Sequence, residues 1–210
     1  MDLFEAQDLC EHAIVRAGFD YTDFEQDSYQ IILFGSAARG MASSESDVDI
    51  LRVVDQLKDG ADKTRVQTDG LDLITLSKSY FSSKEWLGGE LASHVSVYGL
   101  WVKGDKGSVS FARVSQEAIA TKKRIIKSRL QSFLYNLDKL NRYYVLSNMR
   151  KIRLDCQRLD QMISNIPVMC SPELDQLWKS LDQSDLYIST ILESCDVEVT
   201  SIEKFVNLLT

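Results

Sequence analysis

The stretch that most limits what this chain can fold into is residues 31–54, IILFGSAARGMASSESDVDILRVV. It reads as a short apolar strand, a Gly-Ser turn, one turn of small-residue helix carrying Arg39, a polar loop, and a second strand opening with Asp47-Val48-Asp49. At Gly35-Ser36 the absence of a Cβ lets backbone amides approach an anion where a helix begins. Side chains on a strand alternate between its faces, so Asp47 and Asp49 point one way and Val48 the other. An anion-binding turn and two convergent carboxylates together suit a metal-bound nucleoside triphosphate.

The surrounding elements follow from periodicity. Leu3, Ala6, Cys10, Ala13, Ile14 and Ala17 recur at helical spacing, predicting a helix over residues 2–17 that ends at Gly18 and covers a sheet. Residues 19–28, FDYTDFEQDS, read as a polar, acidic loop into a strand over 29–34. A turn region at 56–64 separates the Asp47 strand from a third strand, and Asp69-Gly70 marks a second turn. Residues 71–76 then read LDLITL, with Asp72 a lone acid among apolar neighbours, a costly placement unless a positive group lies beside it. A helix is expected over 81–94, weakened by Gly88-Gly89, and a further strand over 96–102 closing at a turn at 103–105.

From residue 115 onward the pattern is helical throughout. Two long apolar stripes, Ile119 to Leu140 and Val145 to Ile166, predict two long antiparallel helices. Pro167 and Pro172 interrupt the second, Ser171-Pro172-Glu173 starts a third helix with Leu174, Leu177, Trp178 and Leu181 on one stripe, and shorter helices are expected over 186–193 and 201–209. The fold class expected is α+β: a mixed β-sheet domain with flanking helices over residues 1–106, then an all-α helical bundle over 111–210.

Charge divides the chain along the same line. Residues 1–110 hold 10 Lys+Arg against 19 Asp+Glu, a balance of -9, and residues 111–210 hold 14 against 12, a balance of +2. Within residues 113–158 there are 12 basic side chains and three acids. That run has two readings: it docks on the acidic half, or it attracts triphosphate or a polyanionic acceptor such as RNA. No apolar run approaches the roughly 20 residues that span a bilayer, and the first residues, MDLFEAQDLCEH, are acidic, so a soluble, cytoplasmic protein with no membrane partner is expected. The four cysteines are widely spaced without a CxxC pair, which favours buried reduced thiols over a zinc cluster.

Gly35-Ser36, ten intervening residues, Asp47-Val48-Asp49, and Asp72 on a later strand together resemble the nucleotidyltransferase domain of the DNA polymerase β superfamily. The local text GSAARG followed by SDVDIL is most similar to its minimal bacterial branch, which includes the antitoxin partners of HEPN toxins and, more distantly, aminoglycoside nucleotidyltransferases. The resemblance covers roughly residues 28–104. It implies two Mg²⁺ ions held by Asp47, Asp49 and Asp72, with Asp72 close to the acceptor hydroxyl, and outer phosphates held by Gly35, Ser36 and Arg39. The activity implied is transfer of a nucleoside monophosphate, AMP from ATP, onto a hydroxyl. The acceptor expected is a partner protein in a toxin-antitoxin-like setting, with tRNA or an aminoglycoside-like small molecule as alternatives. A second class of reading keeps the fold as a non-catalytic nucleotide- or partner-binding module. Oligomerisation through the helical half is open.

The remaining candidates have plainer readings. Asp69 competes with Asp72 for the third carboxylate but is accounted for by its turn with Gly70. His94 reads as a helix-end residue rather than a base. Tyr80, Phe81, Trp86, Tyr98 and Trp101 are suited to stacking a nucleobase, but a sheet of this size needs most of them as core.

Overall fold

The computed structural model describes residues 1–209, apart from the side chains of residues 59, 108 and 111. The chain divides into two compact units, Met1–Val114 and Ser115–Thr210. The first unit is built on a five-stranded mixed sheet. Its strands are β1 (Gln30–Phe34), β2 (Val48–Val54), β3 (Lys63–Thr68), β4 (Leu71–Ser77) and β5 (Leu100–Lys103), in the spatial order β3-β4-β2-β1-β5. β2 and β4 run parallel, and every other neighbouring pair is antiparallel. The crossover between the parallel pair passes through β3, which folds back on β4 as a hairpin at the Asp69-Gly70 turn.

Alternation along the strands sends two sets of side chains in opposite directions. Ile31, Leu33, Ile50, Leu71 and Leu73 pack with Ala6, Cys10, Ala13 and Ile14 of α1 (Leu3–Arg16) and with Phe24 of α2 (Tyr21–Gln26). The other face carries Ile32, Phe34, Leu51, Val53, Ile74 and Leu76 against Phe81, Trp86, Ala92 and Val95. Those partners come from three short helices, α4 (Lys78–Phe81), α5 (Lys84–Leu87) and α6 (Glu90–Tyr98). Helix α1 therefore does cover the sheet; it begins with a reciprocal capping box between Asp2 and Glu5. Both faces of β1 and β4 are covered, and all residues of these two strands are buried. Edge strand β3 is exposed along its length.

Three local expectations need correction. Residues 19–28 contain α2, because Asp20 accepts the Asp23 amide and caps a turn that buries Phe24 on the sheet. The single helix expected over 81–94 is three, since Ser77, Ser83 and Gly89 each start a new one. The last of these runs on through residues 96–98, leaving only Leu100–Lys103 as strand, because Val95 and its neighbours bury a helical face.

The second unit is helical: α7 (Gln116–Asn136), α8 (Arg142–Ile163), α9 (Ser171–Lys179), α10 (Ser184–Glu193) and α11 (Val199–Leu209). Much of its positive charge is used internally. Lys122 and Arg129 both bind Asp155, while Arg150 and Arg153 bind Asp175. All four cysteines are buried, as thiols rather than disulfides. Among the described residues no helix is long and apolar enough to cross a membrane.

Candidate nucleotide site

The site forms where β1 ends and where β2 and β4 begin. In the parallel register Asp49 lies beside Asp72, and in the antiparallel register Asp49 lies opposite Phe34, the residue before the turn. The two carboxylates thus share one face of the sheet on adjacent strands. Asp47 stands just outside β2, on an exposed loop, so the strand opens one residue later than expected. Among the described residues no three His, Cys, Asp or Glu side chains are grouped closely enough to hold a metal ion by themselves. What the fold brings into register is the pair Asp49 and Asp72.

Gly35 is required here for two independent reasons. Its φ is +69°, in the left-handed region. A Cβ on it would lie 2.1 Å from Asp49 Oδ2 and 2.8 Å from Asp49 Cγ, both inside contact distance. Only glycine leaves room for the carboxylate to lie against the backbone. The turn opens α3 (Gly35–Ala38), which contains Ser36, and Arg39 follows as its C-cap. Arg39 is exposed, with its guanidinium 4.5 Å from the centre of the Tyr98 ring on α6.

Two further residues belong to the site: His94, which was expected at a helix end and lies mid-helix instead, and Arg65, which sequence reasoning did not single out. The Gly35 N–H donates to His94 Nε2 at 3.2 Å, which assigns the imidazole proton to Nδ1 whenever His94 is neutral. His94 is buried in the middle of α6, with its ring 5.2 Å from that of Tyr98 and set edge-on to Phe34. Its sequence offered no distinguishing signal, because only a packed helix shows which amide an imidazole meets.

The second is Arg65. Its Nε donates to Asp72 Oδ1 at 2.8 Å and its Nη2 to Asp72 Oδ2, a two-pronged contact that engages both carboxylate oxygens. The Asp72 side chain is 9% exposed and that of Arg65 51%. The hydrogen bond to Asp72 raises the Arg65 pKa above its ordinary value; burial opposes this, and the charges of Asp72 and Asp49 add to it. Here is the positive neighbour that a lone buried acid on an apolar strand demands, and the signal was present: the Asp69-Gly70 hairpin places Gln67 opposite Asp72 and Arg65 two residues further along the same face. Asp69, the competing acid, lies fully in solvent and meets Arg16 at 3.4 Å. Phe81 and Trp86 are core, in contact at 4.4 Å between ring centres.

The donor set fits a hard divalent cation. Mg²⁺ takes one or two carboxylates and completes its shell with waters and phosphate oxygens. Asp49 and Asp72 are such a pair on adjacent strands, with Asp49 lying against the Gly35 backbone and Asp72 held by Arg65, which a bound cation would have to displace.

Residues 20–103 match the family described as nucleotidyltransferase domain. The matched segment runs from α2 to the end of β5 and contains the Gly35 turn, Asp49 and Asp72, so the similarity falls on the part of the chain that builds the site. Among curated proteins none matches. A similar solved structure is the crystal structure of a nucleotidyltransferase-like protein from Exiguobacterium sibiricum, 13% identical, with a TM-score of 0.39, covering 89% of this chain and 72% of that one.

Proposed function

We propose that the protein transfers a nucleoside monophosphate, AMP from ATP, onto a hydroxyl of a partner protein. The observation that carries this reading is the in-register pair Asp49 and Asp72 beside the Gly35 turn, within the segment that matches the nucleotidyltransferase domain family. Asp49 and Asp72, with Asp47 on the adjoining loop, would hold Mg²⁺. Bound there, the metal would supply charge neutralisation at the phosphates and would lower the pKa of the attacking hydroxyl.

The protein's own residues do the rest. The Gly35 turn brings the Ser36 hydroxyl toward the outer phosphates, and Arg39 turns from the Tyr98 ring to offer a two-pronged phosphate contact. His94 fixes the turn through the Gly35 amide. Asp72 leads the acceptor hydroxyl and takes its proton. Nothing in these steps requires a nucleophile from the protein. A protein acceptor follows from the likeness of GSAARG and SDVDIL to the minimal branch of the superfamily.

The test is pyrophosphate release from radiolabelled nucleoside triphosphates with Mg²⁺, in the presence of a cell extract. Label is expected from ATP onto a protein band, and loss of at least a thousandfold in an Asp49→Asn/Asp72→Asn variant. Mass spectrometry of the labelled species then identifies the acceptor; label on RNA or on a small molecule overturns the protein reading. Tight triphosphate binding with no pyrophosphate release over long incubation overturns the enzyme reading in favour of a binding module.

A further inference from the structure

We propose that the helical unit carries a second ligand site, a groove along α7 that binds a phosphate ester of nucleotide size. The groove has a volume of about 720 Å³ and is lined only by residues of that unit. A volume of this order suits a small organic ligand rather than a few waters.

Its chemistry is one-sided. Arg124 and Arg129 lie on its wall with Ser128 and Ser132, over an apolar floor that includes Ile125 and Phe133, and among the described residues no Asp or Glu lines it. In a chain of net charge -7 such a lining is not the average surface. Both guanidiniums are held in place. Arg124 Nη2 donates to Thr121 Oγ1 at 2.9 Å, and Arg129 Nη1 donates to Asp155 Oδ2. Asp155 is buried and is shared with Lys122, whose Nζ meets its other oxygen at 2.7 Å. One carboxylate therefore serves two cations, and Arg129, still 40% exposed, keeps charge and further donors for the groove.

Five residues of α-helix place the two arginines about 7.5 Å apart along the axis and about 140° apart around it, so they flank the groove-lining face and meet a ligand lying between them from its two sides. Guanidiniums anchored by their own partners lose little rotamer freedom on binding, which favours phosphate recognition. The apolar floor is what separates a nucleotide from a bare anion: it offers contact area to a base or ribose, and phosphate alone gains nothing from it.

The inference does not rest on the proposed activity, and its test keeps the two apart. Calorimetry of the full chain with AMP in EDTA, where no divalent cation is available to the first unit, is expected to show one site per chain. The Asp49→Asn/Asp72→Asn variant is expected to bind AMP equally. Arg124→Ala and Ser128→Glu, both at solvent-facing positions, are expected to weaken it at least tenfold with an unchanged circular dichroism spectrum. AMP binding that survives both substitutions, or is absent at millimolar concentration, overturns the proposal. Pyrophosphate binding as tightly as AMP overturns the role of the floor. A ribo-oligonucleotide binding far more tightly than AMP, with a steep salt dependence, overturns the small ligand in favour of nucleic acid.

Discussion

Replacing Arg65 with Met keeps most of the apolar stem and removes the guanidinium that engages both oxygens of Asp72. Breaking a fully buried ion pair costs about 3–5 kcal/mol, and leaving one buried hydrogen-bonding group unpaired about 1–3 kcal/mol. Asp72 is 9% exposed but Arg65 51%, so water screens one side of the contact and the expected loss is about 2 kcal/mol. For a unit of this size that corresponds to a fall in Tm of roughly 8 °C, measured by calorimetry in EDTA. The same contact opposes cation binding, because an ion reaching Asp72 must displace the guanidinium from it. On the proposed reading Arg65→Met therefore binds Mn²⁺, used as a probe, about 30-fold more tightly than the unaltered protein, the affinity equivalent of 2 kcal/mol. Adding Mn²⁺ should then restore much of the lost Tm in the variant and raise that of the parent less. Equal or weaker Mn²⁺ affinity in the variant refutes the idea that Arg65 and the cation compete for one carboxylate. An unchanged Tm in EDTA refutes the energetic account of the pair.

Gly35→Ala places a methyl group 2.1 Å from Asp49 Oδ2 at a left-handed backbone position, so it should cost about 2 kcal/mol or more and displace the carboxylate, lowering both Tm and pyrophosphate release; an unaltered Tm contradicts the cradle. His94→Ala removes the acceptor of the Gly35 amide and should cost about 1–3 kcal/mol in urea denaturation, while His94→Gln, whose amide oxygen accepts the same bond, should lose less. Burial pushes the Cys10 thiol from 9.0 up to about 12. The folded state therefore holds its proton where the unfolded chain has lost it, so this contribution is intact below pH 9 and falls away as pH rises from 9 toward 12. Urea denaturation at pH 8 and pH 10 should show a steeper loss for the parent than for Cys10→Ala.

Much of the first unit was legible because its strands bury both faces or alternate cleanly. Gly18, Gly35 and Gly70 mark turns that the structure builds with positive φ, as their local sequence demanded. The missed helix α2 shows the limit of reading polarity alone: in YTDFEQ only Phe24 is buried, and a single apolar residue makes no periodic stripe. The fragmentation of α4 to α6 was half visible in Gly88-Gly89 and invisible at Ser83, whose hydroxyl caps a helix that its sequence does not announce. In the site, Asp49 and Asp72 could be named because acids on apolar strands are conspicuous. Arg65 needed the hairpin register, and His94 needed the packing of α6 on the turn. The basic run of residues 113–158 was read as docking on the acidic half or attracting a polyanion; Asp155 and Asp175 engage four of its side chains within the helical unit, a use that charge counting does not reveal.

The parallel pairing of β2 with β4 governs when the two carboxylates meet as well as where. Asp49 and Asp72 are neighbours only through a crossover that includes the whole of β3, so they meet after a non-local loop has closed. During synthesis the turn and the first carboxylate leave the ribosome well before the second strand of the pair is available to dock. A partly folded or truncated chain thus presents the glycine turn without its paired acids. The carboxylate pair forms only once β4 has docked on β2, which makes it a reporter of that pairing.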